Sequence, residues 1–446
     1  MRLARFAVWL AVVALGFQAS AQAQVELNGQ VRTDYRVRAR GDHRLTWNEN
    51  RLDLKVSARL SPKAAFFGET WIRSFGFPRA TQLEQLQERD RRAVQPWAID
   101  LREAYLDLFG FLWSKLDVRI GKQRIAWGTA DKINPTDNLN PKDFEDPLDF
   151  GRKLPVNALR MFAYLGGWTL ELDYVPTFTP AVLPPPGWEI GETVRDWLPG
   201  DPHRYKLTCN LQLPPATLAK SANLGAKVST TIAGYDLSAS YAYVREDIPL
   251  PTRAELDLEG NTLAVTAELE FPRLHVLGAD VAGQLLGVGL WAEVAAFRPE
   301  SAVTLTIVPP LPGYQRHAVL PRRTYTKYAV GGDYTWRNGI YLNAQYVHGF
   351  YGERGKDGLQ EYLLLAVEKK LLHETLKLRL GSLVQTPRIR DYSRHRTWIL
   401  LPELGYYPVD NVELVLGGYA IGSRGRTTLS SFEGNDEMFV KMQVSF

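Results

Sequence analysis

From Val25 to Ala39 the side chains alternate almost without exception. Val25, Leu27, Gly29, Val31, Thr33, Tyr35, Val37 and Ala39 fall on one face; Glu26, Asn28, Gln30, Arg32, Asp34, Arg36 and Arg38 fall on the other. Successive residues of a strand point to opposite faces, so this segment predicts a strand with one apolar wall and one charged wall. The last residues repeat the pattern, with Met438, Val440, Met442, Val444 and Phe446 set against Phe439, Lys441, Gln443 and Ser445. A chain that carries such strands at both ends and between them reads as all-β: a closed antiparallel transmembrane barrel, apolar outside and hydrated inside.

Other features agree with that architecture. Arg2 and Arg5, an apolar run from Phe6 to Phe17 and the small-x-small patterns Ala19-Ser20-Ala21 and Ala21-Gln22-Ala23 form a secretory leader. Residues 1–23 are therefore expected to be removed, leaving 24–446 as a single barrel domain. No later segment reaches about 18 uninterrupted apolar residues, so strands are the remaining way to span a bilayer. A mean hydropathy of -0.22 fits, because half of each barrel strand faces water. The chain has 53 basic and 49 acidic residues, two of the basic ones inside the leader. That near balance gives no support to a nucleic-acid partner. The single cysteine, Cys209, excludes an intrachain disulfide and any multi-cysteine metal site, and no cofactor is expected.

Apolar-polar alternation recurs in segments of about ten residues, the length of a tilted membrane strand. Short connectors rich in turn formers (Ser61-Pro62-Lys63-Ala64, Gly166-Gly167, Ala233-Gly234, Arg337-Asn338-Gly339) alternate with long ones near 76–98, 127–155, 179–221, 298–324 and 422–435. Short periplasmic turns and long extracellular loops are the barrel pattern. The reading gives about 18 strands, with 16–20 as the range. It places one strand at 261–271, with Leu263, Val265, Ala267, Leu269 and Phe271 facing lipid. Arg204 to Leu213 and Leu274 to Ala282 are left as extra strands, loop or plug. Trp113, Trp168, Trp336, Tyr334, Tyr406 and Tyr407 flank the short turns as an interfacial girdle.

The opposite strand faces supply a pore lining. Arg32, Arg36, Arg38, Lys55, Arg59, Arg119, Arg160 and Lys441 are expected to point inward, as are Glu103, Asp107, Asp236, Glu268, Glu293 and Asp333. Unpaired ions in a dry core cost several kcal/mol each, which favours a wet or ion-paired interior. Once the barrel closes, the first, second and last strands form a basic wall of Arg32, Arg36, Arg38, Lys55, Arg59 and Lys441. Asp236, Glu268, Glu293 and Asp333 would lie opposite. Two readings follow: a transverse field that discriminates solutes by charge, or local pairing by Asp34, Asp53 and Glu26 as scaffolding.

The segment from Trp127 to Leu154 is the most distinctive loop. Asn134-Pro135-Thr136-Asp137 is followed by Asn140-Pro141-Lys142-Asp143, then Glu145-Asp146-Pro147 and Asp149. Asn-Pro dipeptides and Asx turns stiffen a loop, and long ordered loops are usually functional. The expectation is a pore constriction over 127–155, with Asp131, Asn134, Asp137, Asn140, Asp143, Asp146, Asp149 and Arg152 as its polar residues; the alternative is a solvated surface loop.

Leu101 to Leu108, Val118-Arg119-Ile120-Gly121-Lys122-Gln123-Arg124, Trp127-Gly128 and the Asn-Pro repeats resemble a signature of large Gram-negative outer-membrane porin families. These are families related to alginate-export and phosphate-selective porins, some of unknown function. Leu277 to Pro299, with Gly278 and Glu293, is similar to them as well. The resemblance implies a cell outer membrane location and transport, and brings no catalytic residues. Seven histidines are dispersed and form no HExxH, while GxSxG and P-loop motifs are absent, so an enzyme is not expected. The expected function is passive passage of small polar or charged solutes through a charge-lined aqueous lumen, with outer-membrane lipid around the barrel and small polar or anionic solutes as its partners. A homo-oligomer or a periplasmic partner is compatible with the sequence. The alternatives are a sheath or exit duct for polymer, lipid-like cargo or a cytochrome, and, more weakly, a barrel enzyme.

Overall fold

The computed structural model describes residues 24–87, 89–191, 193–198, 205–259, 262–309 and 315–446. The leader reading for 1–23 lies outside the described residues. Among those described, eighteen strands form one antiparallel sheet. They are β1 (Gln24–Arg38), β2 (Leu45–Ser61), β3 (Ala64–Phe75), β4 (Trp97–Leu108), β5 (Leu116–Gln123), β6 (Val156–Leu165), β7 (Trp168–Val175), β9 (Asn223–Ile232), β10 (Tyr235–Arg245), β13 (Arg273–Leu285), β14 (Val288–Pro299), β17 (Tyr325–Thr335), β18 (Ile340–His348), β19 (Glu361–Leu371), β20 (Leu376–Thr386), β21 (Arg396–Tyr406), β22 (Val412–Arg424) and β23 (Glu437–Ser445). Pairing of β1 with β23, from Gln30 opposite Ser445 to Arg38 opposite Glu437, rolls the sheet shut.

Alternation decides which face meets which solvent. Val25, Leu27, Val31 and Tyr35 are exposed on the outer skin of β1, while Asp34 and Arg36 are buried inside. Met438, Val440 and Met442 repeat this on β23. So many exposed large apolar side chains, spread around the whole barrel, form the lipid-facing band of a membrane barrel. Trp113, Trp168, Trp336 and Tyr406 stay exposed beside the short turns. Tyr407 differs from the expected girdle: its hydroxyl donates to Glu413, and Lys377 lies over its ring.

The strand count of eighteen matches the expectation, but one strand differs in identity. Leu274 to Ala282 belongs to a wall strand, β13, paired with β10 and β14. The 261–271 segment instead forms β12 (Thr262–Glu270) of a second, five-stranded sheet. Its companions are β8 (Tyr205–Gln212), β11 (Leu250–Glu259), β15 (Val303–Val308) and β16 (Gln315–Leu320). All five come from the long connectors after β7, β10 and β14, so this sheet stands at the extracellular end. Val265, Ala267 and Leu269 are buried in its core with Ala254, Leu256, Leu305 and Ile307, not exposed to lipid. A strand buried on one face alternates identically whether protein or bilayer covers that face.

Candidate functional site

Residues 124–155 fold back into the barrel. The local sequence makes this segment rigid. Asn140 staples its two ends: the side-chain carbonyl accepts from the Ile125 amide at 2.7 Å and from Arg124 Nη1 at 3.0 Å, and its amide donates to the Leu154 carbonyl at 2.7 Å. Asn134 donates to the Ala130 carbonyl at 2.6 Å and Asn138 to Pro135 at 2.7 Å. Gly128 sits at φ 85° with its Cα against Thr136, where a Cβ would lie 2.6 Å from Oγ1. Only glycine fits there.

The loop is moored to opposite walls. On one side Asp146 accepts from both terminal nitrogens of Arg36 on β1, at 3.0 and 2.5 Å. Next to it Glu145 accepts from Arg73 on β3 at 2.9 Å. Roughly half-way around the barrel, Thr136 donates to Glu293 on β14 at 2.8 Å. There too, Gln345 on β18 accepts from the Asp131 amide at 2.7 Å and donates to the Asp131 carbonyl at 2.8 Å. The segment therefore crosses the lumen. Its apolar residues Ile133, Phe144 and Phe150 are buried with Phe350, Tyr351 and Tyr362 and with Leu429 and Phe432 from the 425–436 connector. The interior at this level is packed protein, where the sequence reading left a wet or an ion-paired interior open; the buried apolar residues of the loop, absent from that reading, supply the packing.

Most charges inside the packed zone are paired. Among the described residues two have no ion-pair partner: Glu293, buried with Thr136 as its hydrogen-bond donor and its Oε1 unpartnered, and Lys327, which donates to the Phe350 carbonyl at 2.6 Å. Burial works against the Asp146 carboxylate, but the Arg36 guanidinium overrides it and holds the group well below the usual carboxylate range. Asp137 is bonded by Arg124 and lies 3.7 Å from Lys153. Burial pushes the Lys153 ammonium down to about 8 despite Asp137. Asp143 accepts from Arg152 at 2.9 Å, and Arg152 also bonds Glu145 at 2.6 Å. Lys142 Nζ lies 2.5 Å from Asp247 in the 246–272 connector, where Glu246 meets Arg354 of the 349–360 connector at 3.2 Å. Asp131 is exposed, and Asp149 and Lys132, 4.0 Å apart, keep about half of their surface. These three are the loop charges that face open space.

The wall residues divide by depth. Arg32 and Arg36 both bond Asp34, at 3.1 and 3.0 Å, and Arg38 donates to Asn435 at 2.9 Å. Local pairing by Asp34 is thus present on the basic wall. Lys441 lies 3.9 Å over the Phe439 ring, and Glu103 accepts from the Arg124 amide at 2.8 Å. Nearer the short turns, Arg119 grips Asp107 at 2.6 and 3.1 Å and stacks on Tyr105. Arg160 bonds Asp173 at 2.9 Å and also Glu171. Lys55 stands opposite Glu69 in register, Asp333 opposite Gly289. Arg59 donates to the Pro62 carbonyl at 2.7 Å and Asp236 accepts from Thr231 at 2.6 Å, both exposed at the periplasmic end. Glu268 is a correction: it lies on β12 outside the wall, bonded to Gln212 at 3.1 Å, so it cannot join an acidic pore face.

Sequence reasoning missed Arg102. A bulge between Glu69/Thr70 and their partners on β4 puts both Arg102 and Glu103 on the inner side. Arg102 lies 4.1 Å over the Trp71 ring, which Arg51 covers at 4.0 Å. Thr136, Gln345 and Asp247 were missed as well. The Gly128, Thr136, Gly278 and Glu293 motif fragments, far apart in sequence, meet here, since a Cβ on Gly278 would lie 2.8 Å from Thr136 Cγ2.

A family model described as "Protein of unknown function (DUF1302)" matches residues 14–439. No curated protein matches by sequence. Among solved structures the chain is similar to Acinetobacter baumannii OccAB1, at 8% identity and TM-score 0.51, covering 95% of this chain and 96% of that one. It is likewise similar to Pseudomonas aeruginosa OccK8 (OprE), at 10% identity and TM-score 0.50, covering 95% and 98%. At such identities the likeness concerns the fold, which is that of Gram-negative outer-membrane barrels.

Proposed function

This chain belongs to the DUF1302 family, and we propose that it is an outer-membrane channel for small polar or charged solutes, constricted by its 124–155 loop. The observation that carries the reading is the mooring of that loop across the lumen, from Arg36 and Arg73 to Glu293 and Gln345, with Asp131, Lys132 and Asp149 left exposed at its edge. Charges of both signs at a narrowing orient polar solutes and discriminate by charge. On the periplasmic side the walls keep half-exposed ion pairs: Arg119 with Asp107, Arg379 with Glu368 and Glu403, Lys377 with Glu413. Such pairs line a vestibule that water can enter. Anions are the solute class that the motif resemblance to alginate-export and phosphate-selective porins favours. The reading involves no catalytic step.

Planar-bilayer recording of the purified chain tests this. Steps of open-channel current are expected without any partner, and deletion of Asn134 to Asp149 raises their conductance. A silent protein, or an unchanged conductance after the deletion, rejects the channel or the constriction respectively. A silent wild-type chain that conducts only with a periplasmic partner is the signature of a duct.

A further inference from the structure

Arginines stand directly opposite one another at several places in the sheet, and the two faces treat them differently. Inside, Arg32 opposes Arg51, Arg51 opposes Arg73, and Arg119 opposes Arg160. Each of these has a carboxylate at hand: Asp34 is 3.1 Å from Arg32, Glu49 is 3.8 Å from Arg51 and 3.3 Å from Arg73, Asp107 is 2.6 Å from Arg119, and Asp173 is 2.9 Å from Arg160. Two further pairs lie on the outside, both at the extracellular end. Arg245 on β10 opposes Arg273 on β13, and Arg396 on β21 opposes Arg424 on β22. Their outward direction follows from the buried inner-face neighbours, Val244 and Leu274 in one case, Thr397 and Ile421 in the other. None of the four has a carboxylate within ion-pair distance among the described residues. Glu300, which accepts from Tyr243 at 3.0 Å, acts on Arg245 and Arg273 only from farther away, and nothing comparable among those residues stands beside Arg396 and Arg424.

We propose that the accessible members of these outer-face pairs, Arg245, Arg396 and Arg424, clamp the phosphate groups of phosphorylated lipids in the outer leaflet, with Arg273, buried and bonded to Asn223 at 3.2 Å, bracing Arg245 from behind. Like charges directly opposite one another on a sheet destabilise it, so a feature found twice at the extracellular end of the wall calls for a counter-charge. Main-chain carbonyls hold the guanidiniums in place. Arg245 and Arg273 both donate to the Lys220 carbonyl, at 2.9 and 2.8 Å, and Arg396 donates to the Tyr392 and Ser393 carbonyls at 3.3 Å. A carbonyl orients an arginine without neutralising it. More cations surround each pair: exposed Arg298, opposite His275, with exposed Lys220 at the first, and exposed Arg388, Arg390 and Arg394 at the second.

The height of the pairs fits a headgroup. Going down the outer face from Arg245 and Arg273, the next cross-strand pair is Tyr243 with His275, then Tyr241 with the exposed Leu277. Below Arg396 and Arg424 come Trp398 with Gly422, then exposed Leu400 with Ala420. The Trp398 ring lies flat over Gly422, where a Cβ would be 2.5 Å from it. Both columns therefore run from cation to aromatic to aliphatic, the order of phosphate, interface and acyl chain in a lipid. Guanidinium forks suit phosphate, which they bind bidentately.

The test uses the full-length barrel in detergent with three probes: lipid A carrying its phosphates, lipid A stripped of them, and inorganic phosphate. Retained lipid per barrel is read by native mass spectrometry, and protection by the shift in thermal unfolding. Phosphorylated lipid A is expected to stay bound and to raise the transition. R396Q and R424Q should each weaken retention about fivefold, as should R245Q, with the Lys replacements intermediate. All variants should keep the wild-type heat-modifiable gel mobility and strand circular dichroism. Equal retention by folded variants overturns the proposal, as does equal retention of dephosphorylated lipid A. Equal protection by inorganic phosphate assigns the pairs to free anions and overturns the lipid assignment. A variant that loses its folded mobility is replaced by R424K, whose exposed side chain keeps the charge and must then fall between wild type and R396Q.

Discussion

Asp146 and Arg36 are 110 residues apart in sequence and form a two-pronged ion pair, 3.0 and 2.5 Å long, between a loop and the wall strand nearest the seam. Arg36 also donates to Asp34 and lies 4.6 Å over the Trp47 ring, so the guanidinium is satisfied on every side. Removing one partner of such a buried pair leaves an uncompensated ion at a cost of about 3–5 kcal/mol. R36A and D146N should each lower the stability of the folded barrel by that order. Their effects should be strongly non-additive in a double-mutant cycle read by denaturant titration in detergent. Both should also produce noisier, larger single-channel currents as the loop loosens, and quiet currents with full additivity count against the mooring.

Lys153 supplies a pH dependence. Burial lowers its folded value to about 8, while the unfolded chain keeps the ordinary lysine value near 10.4. Between these values the unfolded state holds more protons, so stability rises with pH across the window from about 8 to about 10.4. Below it, the cost of burying the charged form is constant. The stability difference between wild type and K153M should therefore change by up to about 3 kcal/mol in favour of wild type across that window. A flat difference from pH 7 to 11 counts against a buried, depressed ammonium.

Selectivity should reside in the exposed loop charges and not in the buried ones. Asp131 and Asp149 replaced together by Lys should move the reversal potential in a salt gradient toward anion preference. Arg36, 3% exposed, is a poor reporter, because its replacement disturbs loop docking before it changes the field. An unmoved potential in the double Lys variant places the selective charges elsewhere on the wall.

Gly29 sits where the barrel closes. Its amide and carbonyl each pair with Phe446 at 2.9 Å, and a Cβ there would lie 2.5 Å from the Asp53 carbonyl and 2.7 Å from the Phe446 ring. Gly29→Val should lower stability by about 1–3 kcal/mol through overpacking, visible as a lower temperature of heat-modified gel migration. The F446A substitution should relieve only part of the loss, since the Asp53 carbonyl is main chain and cannot move aside.

The wall was legible because one physical rule, alternation, governs it nearly everywhere. Strand β1 shows it most clearly, and β23 repeats it. The same rule misassigned Val265, Ala267 and Leu269, because periodicity reports that one face is covered without saying whether protein or lipid covers it. Arg102 was hidden by the bulge on β4, which resets the phase within a strand. The loop charges were visible as a cluster, but not their partners: nothing local to Asp146 names Arg36, and nothing local to Thr136 names Glu293. Residues such as Phe144 and Phe150 read as incidental in a polar loop, and only the closed barrel shows what covers them.

The seam has a further consequence, for biogenesis. Its two strands, β1 and β23, are joined by pairs such as Arg38 opposite Glu437, 399 residues away. Until β23 docks, β1 and the newest strand each present a row of unsatisfied amides and carbonyls, a template for any other extended polypeptide. Pairings this distant along a sequence form slowly. The unclosed sheet is thus the vulnerable species, and a lesion that delays β23 should surface as precipitation and proteolysis during export, with the surviving molecules conducting normally.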